Sequence, residues 1–225
     1  MIDAIVHSAS PVLLVGGGEL DKDALRAELS RFDKVVAADG GADAVLAAGG
    51  RPDALIGDLD SVSEAARAAL PAEAVHEIAE QDSTDFDKCL RNIAAPLVVA
   101  MGFLGARVDH QLAAFTVLAQ RAERPCLLIG AHDAVALCPP ELKIGLPRDT
   151  RVSLWPLAEV TGRSDGLHWP IAGMRFAPHA TIGTSNRAEG PIRLRMDAPG
   201  MLILLPARFA GALAQALMAA PRWGS

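Results

Sequence analysis

LIGDLDS, residues Leu55–Ser61, is the stretch from which the fold of this chain can be predicted. Its apolar start is typical of the end of a buried strand, and Gly57 then frees the backbone for a turn. Asp58 and Asp60 follow two residues apart, so in an extended segment their side chains face the same way. Two such carboxylates repel each other unless a cation or hydrogen-bond donors offset their charge.

The pair of Asp58 and Asp60 indicates a magnesium site at the end of this strand. Mg²⁺ prefers oxygen ligands and often binds one or two carboxylates together with the phosphates of a substrate. A second interpretation stands beside this one, because Asp is also common in turns and at helix starts where no metal binds. The motif alone leaves both interpretations open.

On both sides of LIGDLDS, short apolar segments alternate with helical patterns. The predicted strands are Pro11–Val15, Lys34–Ala38, Asp53–Ile56, Val75–Ala79, Pro96–Met101 and Cys126–Ile129. The predicted helices are Asp21–Phe32 with Asp21 as a candidate N-cap, Ala42–Ala48, Ser63–Leu70 with Ser63 as N-cap, a segment capped by Ser83 or Thr84 that runs to about Ile93, and Asp109–Ala122. This alternation predicts right-handed β-α-β units and a mostly parallel sheet. Ligands of such sheets bind beyond the carboxyl ends of the strands, where we expect Asp39, Asp58, Asp60 and the turn Gly16–Gly18.

The pattern changes after about Pro140, where glycine and proline become frequent. Short alternating runs at Arg151–Pro156, Ile192–Met196 and Met201–Leu205 predict antiparallel strands, and Phe209–Met218 predicts a terminal helix. We therefore expect an α/β parallel-sheet N-terminal domain over residues 1–138. It would be followed by an all-β sandwich C-terminal domain over residues 139–225, which ends in a short helix.

The composition is that of a globular protein, with 51% hydrophobic and 21% charged residues. The net charge of -6 and the lack of Lys or Arg runs argue against a nucleic-acid partner. No apolar run approaches the ~20 residues that cross a bilayer, and the start MIDAIVHSAS lacks the basic segment of a secretory signal. Cys89, Cys126 and Cys138 lack C-x-x-C spacing, which is typical of reduced core thiols. We expect a cytoplasmic protein without a membrane partner.

A second acidic motif, QDSTDFDK at Gln81–Lys88, places a hydroxyl group and carboxylates at a predicted helix start. The free N–H groups and the positive dipole end of a helix start can orient carboxylates or accept a phosphate. Asp85 could complete a metal site with Asp58 and Asp60. Alternatively, Thr84 serves only to cap the helix.

Two further segments are candidates for phosphate binding. Gly16–Gly18 would let a phosphate approach the backbone, but it matches neither the P-loop nor the dinucleotide-binding pattern, and a plain tight turn is the alternative. FLGARVDH at residues 103–110 contains Arg107, a permanent cation suited to phosphate, and Asp109, an expected helix cap. His110 could carry a proton, with a purely structural role as the alternative.

Taken in order, these motifs make the chain similar to the thiamine pyrophosphokinase family. The resemblance extends from the first strand to about Pro206 and rests on DGGAD (Asp39–Asp43), GDLDS (Gly57–Ser61), QDSTDFDK, GARVDH (Gly105–His110), GLHWPI (Gly166–Ile171) and GTSN (Gly183–Asn186). It implies an α/β nucleotide-binding domain followed by a β-sandwich domain. It also implies a homodimer that binds thiamine where the two domains and the neighbouring subunit meet. The implied reaction is Mg²⁺-dependent transfer of diphosphate from ATP to the hydroxyethyl group of thiamine, giving thiamine diphosphate and AMP.

The resemblance also implies roles for individual residues. Asp58, Asp60 and Asp85 would hold Mg²⁺, and Asp39 would complete the catalytic acids. The residues expected near ATP are Gly17, Thr84, Lys88, Arg107, Asp109 and His110. Those expected near thiamine are Gln81, Asp82, Trp169, Ser185 and Asn186, although Trp169 could instead be a core residue. Some relatives carry an aromatic residue shortly after the SN pair that stacks on thiamine, where this chain has Arg187-Ala188-Glu189.

The implied chemistry agrees with the residue types. Phosphoryl transfer depends mainly on positioning and on neutralised charge, which metal-bound carboxylates provide. Asp39 or Asp60 could accept the alcohol proton, and an acidic site would favour cationic thiamine. Two alternatives remain at this point: a diphosphokinase for another alcohol such as a pterin, and a nucleotide- or thiamine-binding regulator without turnover.

Overall fold

The computed structural model describes residues 4–105 and 107–224. The described residues form two units. The first comprises the residues up to Val117 together with Leu128–Ala131, and the second comprises Leu118–Leu127 and the residues from His132 onward. Asp3 of the N-terminal segment and Ala106 of the GARVDH motif lie outside the described residues.

The first unit alternates strands and helices, as the spacing of apolar residues predicts. Its strands are β1 (Val6–His7), β2 (Val12–Val15), β3 (Val35–Ala38), β4 (Ala54–Gly57), β5 (Val75–Glu77), β6 (Ile93–Ala94) and β7 (Val98–Met101). Its helices are α1 (Lys22–Leu29), α2 (Gly41–Ala47), α3 (Glu64–Ala68) and α4 (Asp85–Arg91). Helix α5 (Val108–Gln120) and strand β8 (Cys126–Ile129) contribute residues to both units.

The main sheet of the first unit has the strand order β7-β2-β3-β4-β5, and its four described pairings are parallel. The register sets Leu14 of β2 beside Ala100 of β7 on one side and Val36 of β3 on the other. Every residue of β2, β3, β4 and β7 is buried, which explains why these strands are continuous apolar runs in the sequence. The separate parallel pair of β1 and β6 was not predicted, because two-residue strands leave no periodic signal.

Three helix caps predicted from the sequence are present in the first unit. Asp21 accepts a hydrogen bond from Ala24 N at 2.7 Å, Ser63 from Ala66 N at 3.1 Å, and Thr84 from Asp87 N at 3.3 Å. Such caps satisfy free N–H groups of the first turn and contribute about 1 kcal/mol each. The expected cap Asp109 is wrong, because α5 already begins at Val108 and Asp109 lies within its first turn.

The second unit is built mainly from antiparallel strands. They are β9 (Asp133–Leu137), β10 (Glu141–Ile144), β11 (Arg151–Pro156), β12 (Val160–Leu167), β13 (Arg175–Phe176), β14 (Gly183–Met196) and β15 (Met201–Pro206). Strands β9, β15, β11 and β14 pair in that order, β14 also pairs with β10 and β12, and β12 pairs with β13. The predicted terminal helix is present as α6 (Ala210–Ala219). No helix within the described ranges is long and apolar enough to cross a membrane.

Strand β14 is much longer than predicted. The apolar alternation indicated only Ile192–Met196, whereas the strand begins at Gly183 and includes the GTSN motif. Its first part pairs with β11 and its last part with β10 and β12. The first part is polar and largely exposed, so hydrophobic alternation could not reveal it.

Candidate active site

A cavity of about 900 Å³ opens in the first unit beyond the carboxyl ends of its parallel strands. Its lining comes from the loops that follow β2, β3 and β7 and from the starts of α4 and α5. Ligand cavities of small-molecule enzymes have volumes of roughly 300–1,000 Å³. The position agrees with the sequence prediction, because the loops that carry Asp39 and Gly16–Gly18 meet at this edge.

The glycines of this edge allow neighbouring loops to lie against each other. A Cβ on Gly41 would lie 2.0 Å from the carbonyl oxygen of Val15, and one on Gly102 would lie 2.5 Å from that of Gly16. Gly102 also has a φ of 81°, a backbone conformation that residues with a side chain rarely adopt. Gly17 lines the cavity and is exposed. The turn Gly16–Gly18 therefore allows neighbouring backbone segments to pack closely, and it also leaves space in the cavity for a ligand.

Three carboxylates that are distant in sequence converge beside the cavity. Asp39, Asp58 and Asp60 each offer an oxygen, and these oxygens lie within 4.8 Å of one another. Asp39 follows β3, and the other two follow the neighbouring parallel strand β4. The predicted convergence of these three acids is therefore present in the structure.

Asp39 is the buried member of this cluster, at 5% exposure. Its carboxylate accepts hydrogen bonds from Ser61 N at 3.1 and 3.3 Å and from Val62 N at 3.1 Å. Burial raises the pKa of Asp39 and the nearby charge of Asp85 adds to this rise, while the hydrogen bonds from Ser61 and Val62 oppose it. The φ of 44° at Asp39 is a left-handed conformation, which an Asp tolerates better than most residues.

Lys88 is buried, at 1% exposure, and its side chain reaches two of the acids. Its ammonium group donates to Asp58 Oδ2 at 2.9 Å and to Asp85 Oδ1 at 3.1 Å. The hydrogen bond from Lys88 is the main cause of the lowered pKa of Asp58. Burial alone would lower the pKa of Lys88, but its hydrogen bonds with Asp58 and Asp85 outweigh burial and raise it. Lys88 was predicted near the phosphates, and the structure places its charge against two carboxylates.

Asp85 is the first residue of α4, whose cap is Thr84, and both residues line the cavity. Asp85 Oδ1 accepts from Lys88 and also from Asp58 N at 3.4 Å. The three acids with converging oxygens, however, include Asp39 and not Asp85. The set brought together by the geometry thus differs in one member from the metal ligands inferred from the sequence.

Two further residues predicted near ATP belong to the same cavity. Arg107 and His110 line it, and both are exposed. Arg107 binds Asp109 through two hydrogen bonds, of 2.6 and 3.2 Å. The hydrogen bond with Arg107 lowers the pKa of Asp109. This ion pair is fully accessible, so a phosphate group could compete for the guanidinium.

The residues predicted near thiamine fall into two groups. In the first unit, Gln81 lines the cavity and donates to Asp58 Oδ2 at 3.3 Å, and Asp82 is exposed in the same loop. In the second unit, the structure brings Trp169, Ser185 and Asn186 together. The loop with Gln81 is therefore associated with the acids, and the GTSN motif with the tryptophan.

Asn186 in the second unit is buried and fixes the backbone of Trp169. Its Oδ1 accepts from Trp169 N at 3.1 Å and from Arg187 N at 2.8 Å, and its Nδ2 donates to Trp169 O at 2.7 Å. The indole itself is 56% exposed, so the alternative of a core tryptophan is wrong. The guanidinium of Arg187 lies 5.8 Å from the centre of the indole ring. Ser185 has a φ of 62° and donates its N–H to Ser153 Oγ at 3.1 Å.

Two features of the cavity were not predicted from the sequence. Asp43 lines it and accepts hydrogen bonds from Ser63 N at 3.0 Å and from Ser63 Oγ at 2.5 Å. Asp43 follows Asp39 by four residues, about one helical turn, and this spacing within DGGAD could have revealed it. Phe103 packs against Phe86 with ring centres 4.6 Å apart, and both line the cavity. No periodic signal marks that aromatic pair.

Comparisons of sequence relate the chain to known proteins. Residues 25–128 match the family model described as thiamin pyrophosphokinase, catalytic domain. Thiamine pyrophosphokinase 1 of Oryza sativa subsp. japonica is 26% identical over 170 residues, which cover 66% of this chain and 64% of the rice protein. Thiamine pyrophosphokinase 1 of Arabidopsis thaliana is 25% identical over 155 residues, 60% of this chain and 58% of that protein. The chain thus matches less than two thirds of the length of these curated relatives.

Comparisons of structure extend the likeness of the fold over most of the chain. Thiamine pyrophosphokinase from Bacillus subtilis superposes with a TM-score of 0.70 at 22% identity, covering 88% of this chain and 98% of the bacterial one. Yeast thiamin pyrophosphokinase superposes with a TM-score of 0.74 at 17% identity, covering 96% and 95% of the two chains. The predicted resemblance is confirmed: in the sequence of residues 25–128 and in its fold, this chain is similar to the thiamine pyrophosphokinase family.

Proposed function

We propose that this chain is a thiamine diphosphokinase, which transfers diphosphate from ATP to the hydroxyl group of thiamine and releases AMP. One observation carries the proposal: the oxygens of Asp39, Asp58 and Asp60 lie within 4.8 Å of one another beside a cavity of nucleotide size. The catalytic-domain match over residues 25–128, which contain all three acids, supports this reaction class.

The acid cluster fits a divalent cation. Its three carboxylates offer only oxygen ligands, at a spacing that one ion can bridge, and Mg²⁺ prefers such ligands. Asp58 and Asp60 would hold the ion together with Asp39 or Asp85. When bound there, the ion would supply positive charge that offsets the negative charge developing on the phosphates during transfer.

The chain's own residues would position ATP around this cluster. The phosphates would lie between the Gly17 turn and the start of α4, because Gly17, Thr84 and Asp85 all line the cavity. Arg107 and His110 would border the same phosphates from α5 and the loop before it. Lys88 would hold Asp58 and Asp85 in place, because its ammonium group contacts a carboxylate oxygen of each.

The thiamine hydroxyl group must lose a proton as it attacks the β-phosphorus. A carboxylate takes this proton best when its pKa lies closer to the working pH. The raised pKa of buried Asp39 suits that task, and Asp60 is the other candidate. The leaving AMP would depart along the glycine-rich side of the cavity.

The residues proposed for thiamine are those that the sequence resemblance implies. Gln81 and Asp82 would face thiamine from the acidic loop, and Trp169, Ser185 and Asn186 would contribute from the C-terminal part. In this proposal residues 1–138 form the catalytic domain and residues 139–225 a thiamine-binding β-sandwich. The active form would be a cytoplasmic homodimer. The exposed indole of Trp169 supports an aromatic contact with the substrate.

The test is AMP release from ATP and Mg²⁺ with and without thiamine. We expect stoichiometric AMP and thiamine diphosphate with thiamine, and no AMP without it. A panel of other alcohols, including a pterin alcohol, measures acceptor choice. Release of AMP with a pterin and not with thiamine would replace the proposed substrate. Saturable thiamine or ATP binding without any AMP would instead identify a regulator.

A further inference from the structure

Leu59 has an unusual backbone conformation between Asp58 and Asp60, the two members of the acid cluster that follow β4. Its φ is 64°, in the left-handed region. A large side chain in this region is uncommon and costs roughly 1–2 kcal/mol. Strained residues of this kind persist only where the surroundings hold them, and they are frequent at functional sites.

An apolar contact holds Leu59 in this conformation. Its side chain packs against a buried cluster, together with the partly buried Leu46, Val62 and Val75. The buried members of this cluster are Ala37, Ala42, Leu55, Ala66 and Leu70. Because Leu59 turns into the apolar cluster, the carboxylates on either side of it can converge on Asp39.

Polar contacts hold Ser61, Val62 and Ser63, which come after Asp60 in the same loop. Asp39 accepts from the N–H groups of Ser61 and Val62, and Asp43 of α2 accepts from both the N–H and the hydroxyl group of Ser63. Ser63 also caps α3 by accepting from Ala66 N. Three successive residues after Asp60 are therefore tied to the start of α2 or to Asp39.

We propose that Leu59 and Asp43 are positioning residues for the pair of Asp58 and Asp60. Neither residue needs to touch the cation. Leu59 holds the loop from the apolar side and Asp43 from the polar side, so the carboxylates are arranged before an ion binds. A site arranged in advance binds its ligand more tightly, because less ordering is required on binding. The inference rests on the proposed function only in taking a divalent cation as the ligand.

The test measures Mn²⁺ binding to the full chain by electron paramagnetic resonance, without nucleotide. Leu59→Asn tolerates the left-handed backbone but cannot enter the apolar cluster, whereas Leu59→Met retains an apolar side chain. Asp43→Ala removes the contacts with Ser63. Asp53→Ala is the matched control, since Asp53 also accepts from a backbone N–H, that of Val35 at 2.7 Å, but at the amino ends of β3 and β4.

We expect Leu59→Asn and Asp43→Ala to bind Mn²⁺ about fivefold to tenfold more weakly than the natural chain. Leu59→Met and Asp53→Ala should bind Mn²⁺ like the natural chain. Circular dichroism identifies any variant that fails to fold, and the remaining variant of the pair then decides. Unchanged Mn²⁺ affinity in a folded Leu59→Asn or Asp43→Ala would overturn the inference, as would absence of Mn²⁺ binding by the natural chain. AMP release by the natural chain separately tests the proposed function, so the two failures are distinguishable.

Discussion

Lys88 Nζ lies 2.9 Å from Asp58 Oδ2, and the lysine side chain is buried. The same nitrogen lies 3.1 Å from Asp85 Oδ1, so one ammonium group links the two acidic motifs of the sequence. An ion pair of this kind is costly to break from one side, because the remaining charge loses its partner. The first prediction follows from this contact.

Replacing Lys88 by Met should destabilise the chain. The change leaves two carboxylates facing each other without a counter-charge. We expect the free energy of unfolding to fall by about 2–3 kcal/mol, less than the ~3–5 kcal/mol typical of a broken, fully buried pair, because Asp85 can still reach water. Urea denaturation measures the change. Lys22→Met, at an exposed position of α1, is the control and should stay within about 0.5 kcal/mol. Equal stability of both variants would show that the Lys88 ion pairs contribute little.

The acids should be needed for turnover and not for folding. Asp58→Asn and Asp85→Asn retain the size of the side chain but lose its charge, so we expect the rate of AMP release to fall by a factor of roughly 10²–10³ or more. Thermal unfolding should show that both variants remain folded. Near-normal rates in both would remove these residues from the metal site.

The thiamine side can be tested with two variants in the second unit. Trp169→Ala removes an exposed indole, so it should raise the KM for thiamine and leave both stability and the KM for ATP unchanged. Asn186→Ala removes three hydrogen bonds to backbone groups, so it should also cost about 1–3 kcal/mol of stability. Steady-state kinetics and urea denaturation separate the two effects. An unaltered KM for thiamine in both variants would place thiamine elsewhere.

Two glycines allow a matched test of packing. Gly41→Ala would bring a Cβ within 2.0 Å of a backbone oxygen of β2, so we expect a loss of about 3 kcal/mol or more. Gly211 lies in α6 with no atom within 4 Å of the added Cβ, so Gly211→Ala should stabilise the chain by about 0.5–1 kcal/mol. Urea denaturation measures both changes, and a harmless Gly41→Ala would contradict the described packing of α2 on β2.

The stability of the second unit should depend on pH through Glu141. Its carboxylate contacts Arg193, Arg195 and Lys143, and the hydrogen bond with Arg193 is the main cause of its lowered pKa. A carboxylate with a lowered pKa in the folded state stabilises the chain above its unfolded pKa. This contribution disappears as the pH falls through the folded value, here below the ordinary 4.5.

Glu141→Gln should therefore be less stable than the natural chain at pH 7, and the difference in stability should be smaller at pH 3. Added salt should reduce the difference at pH 7, because the group is exposed and its ion pairs are screened. Urea denaturation at both pH values measures this difference in the free energy of unfolding. Glu73→Gln, at an exposed position, is the control. A difference of equal size at pH 3 and pH 7 would point to packing and not to charge.

Much of the first unit could be predicted from the sequence because its signals are local. The buried strands are short apolar runs, and their ends carry Asp39 and Asp58. Parallel pairing then places these ends at one edge, so the convergence of the acids follows from topology. The caps Asp21, Ser63 and Thr84 could be predicted for the same local reason.

Features that depend on contacts distant in sequence were not predictable. Asp39 lies near Asp58 and Asp60, and the loop that carries the latter two contains Leu59 in a left-handed conformation that no periodic pattern reveals. The position of Lys88 depends on burial, since a lysine in a motif does not show which way it points. The polar first half of β14 forms a strand because β11 pairs with it, although its own residues carry no apolar alternation.

The burial of Lys88 has a consequence for how the protein matures. In many small metal-binding domains the bound metal supplies the folding free energy, and chelators denature them. Here an ammonium group of the chain itself occupies the centre of the acidic motifs. The newly made chain should therefore reach its folded form without any metal supply, and treatment with a chelator should leave it intact and ready for reloading.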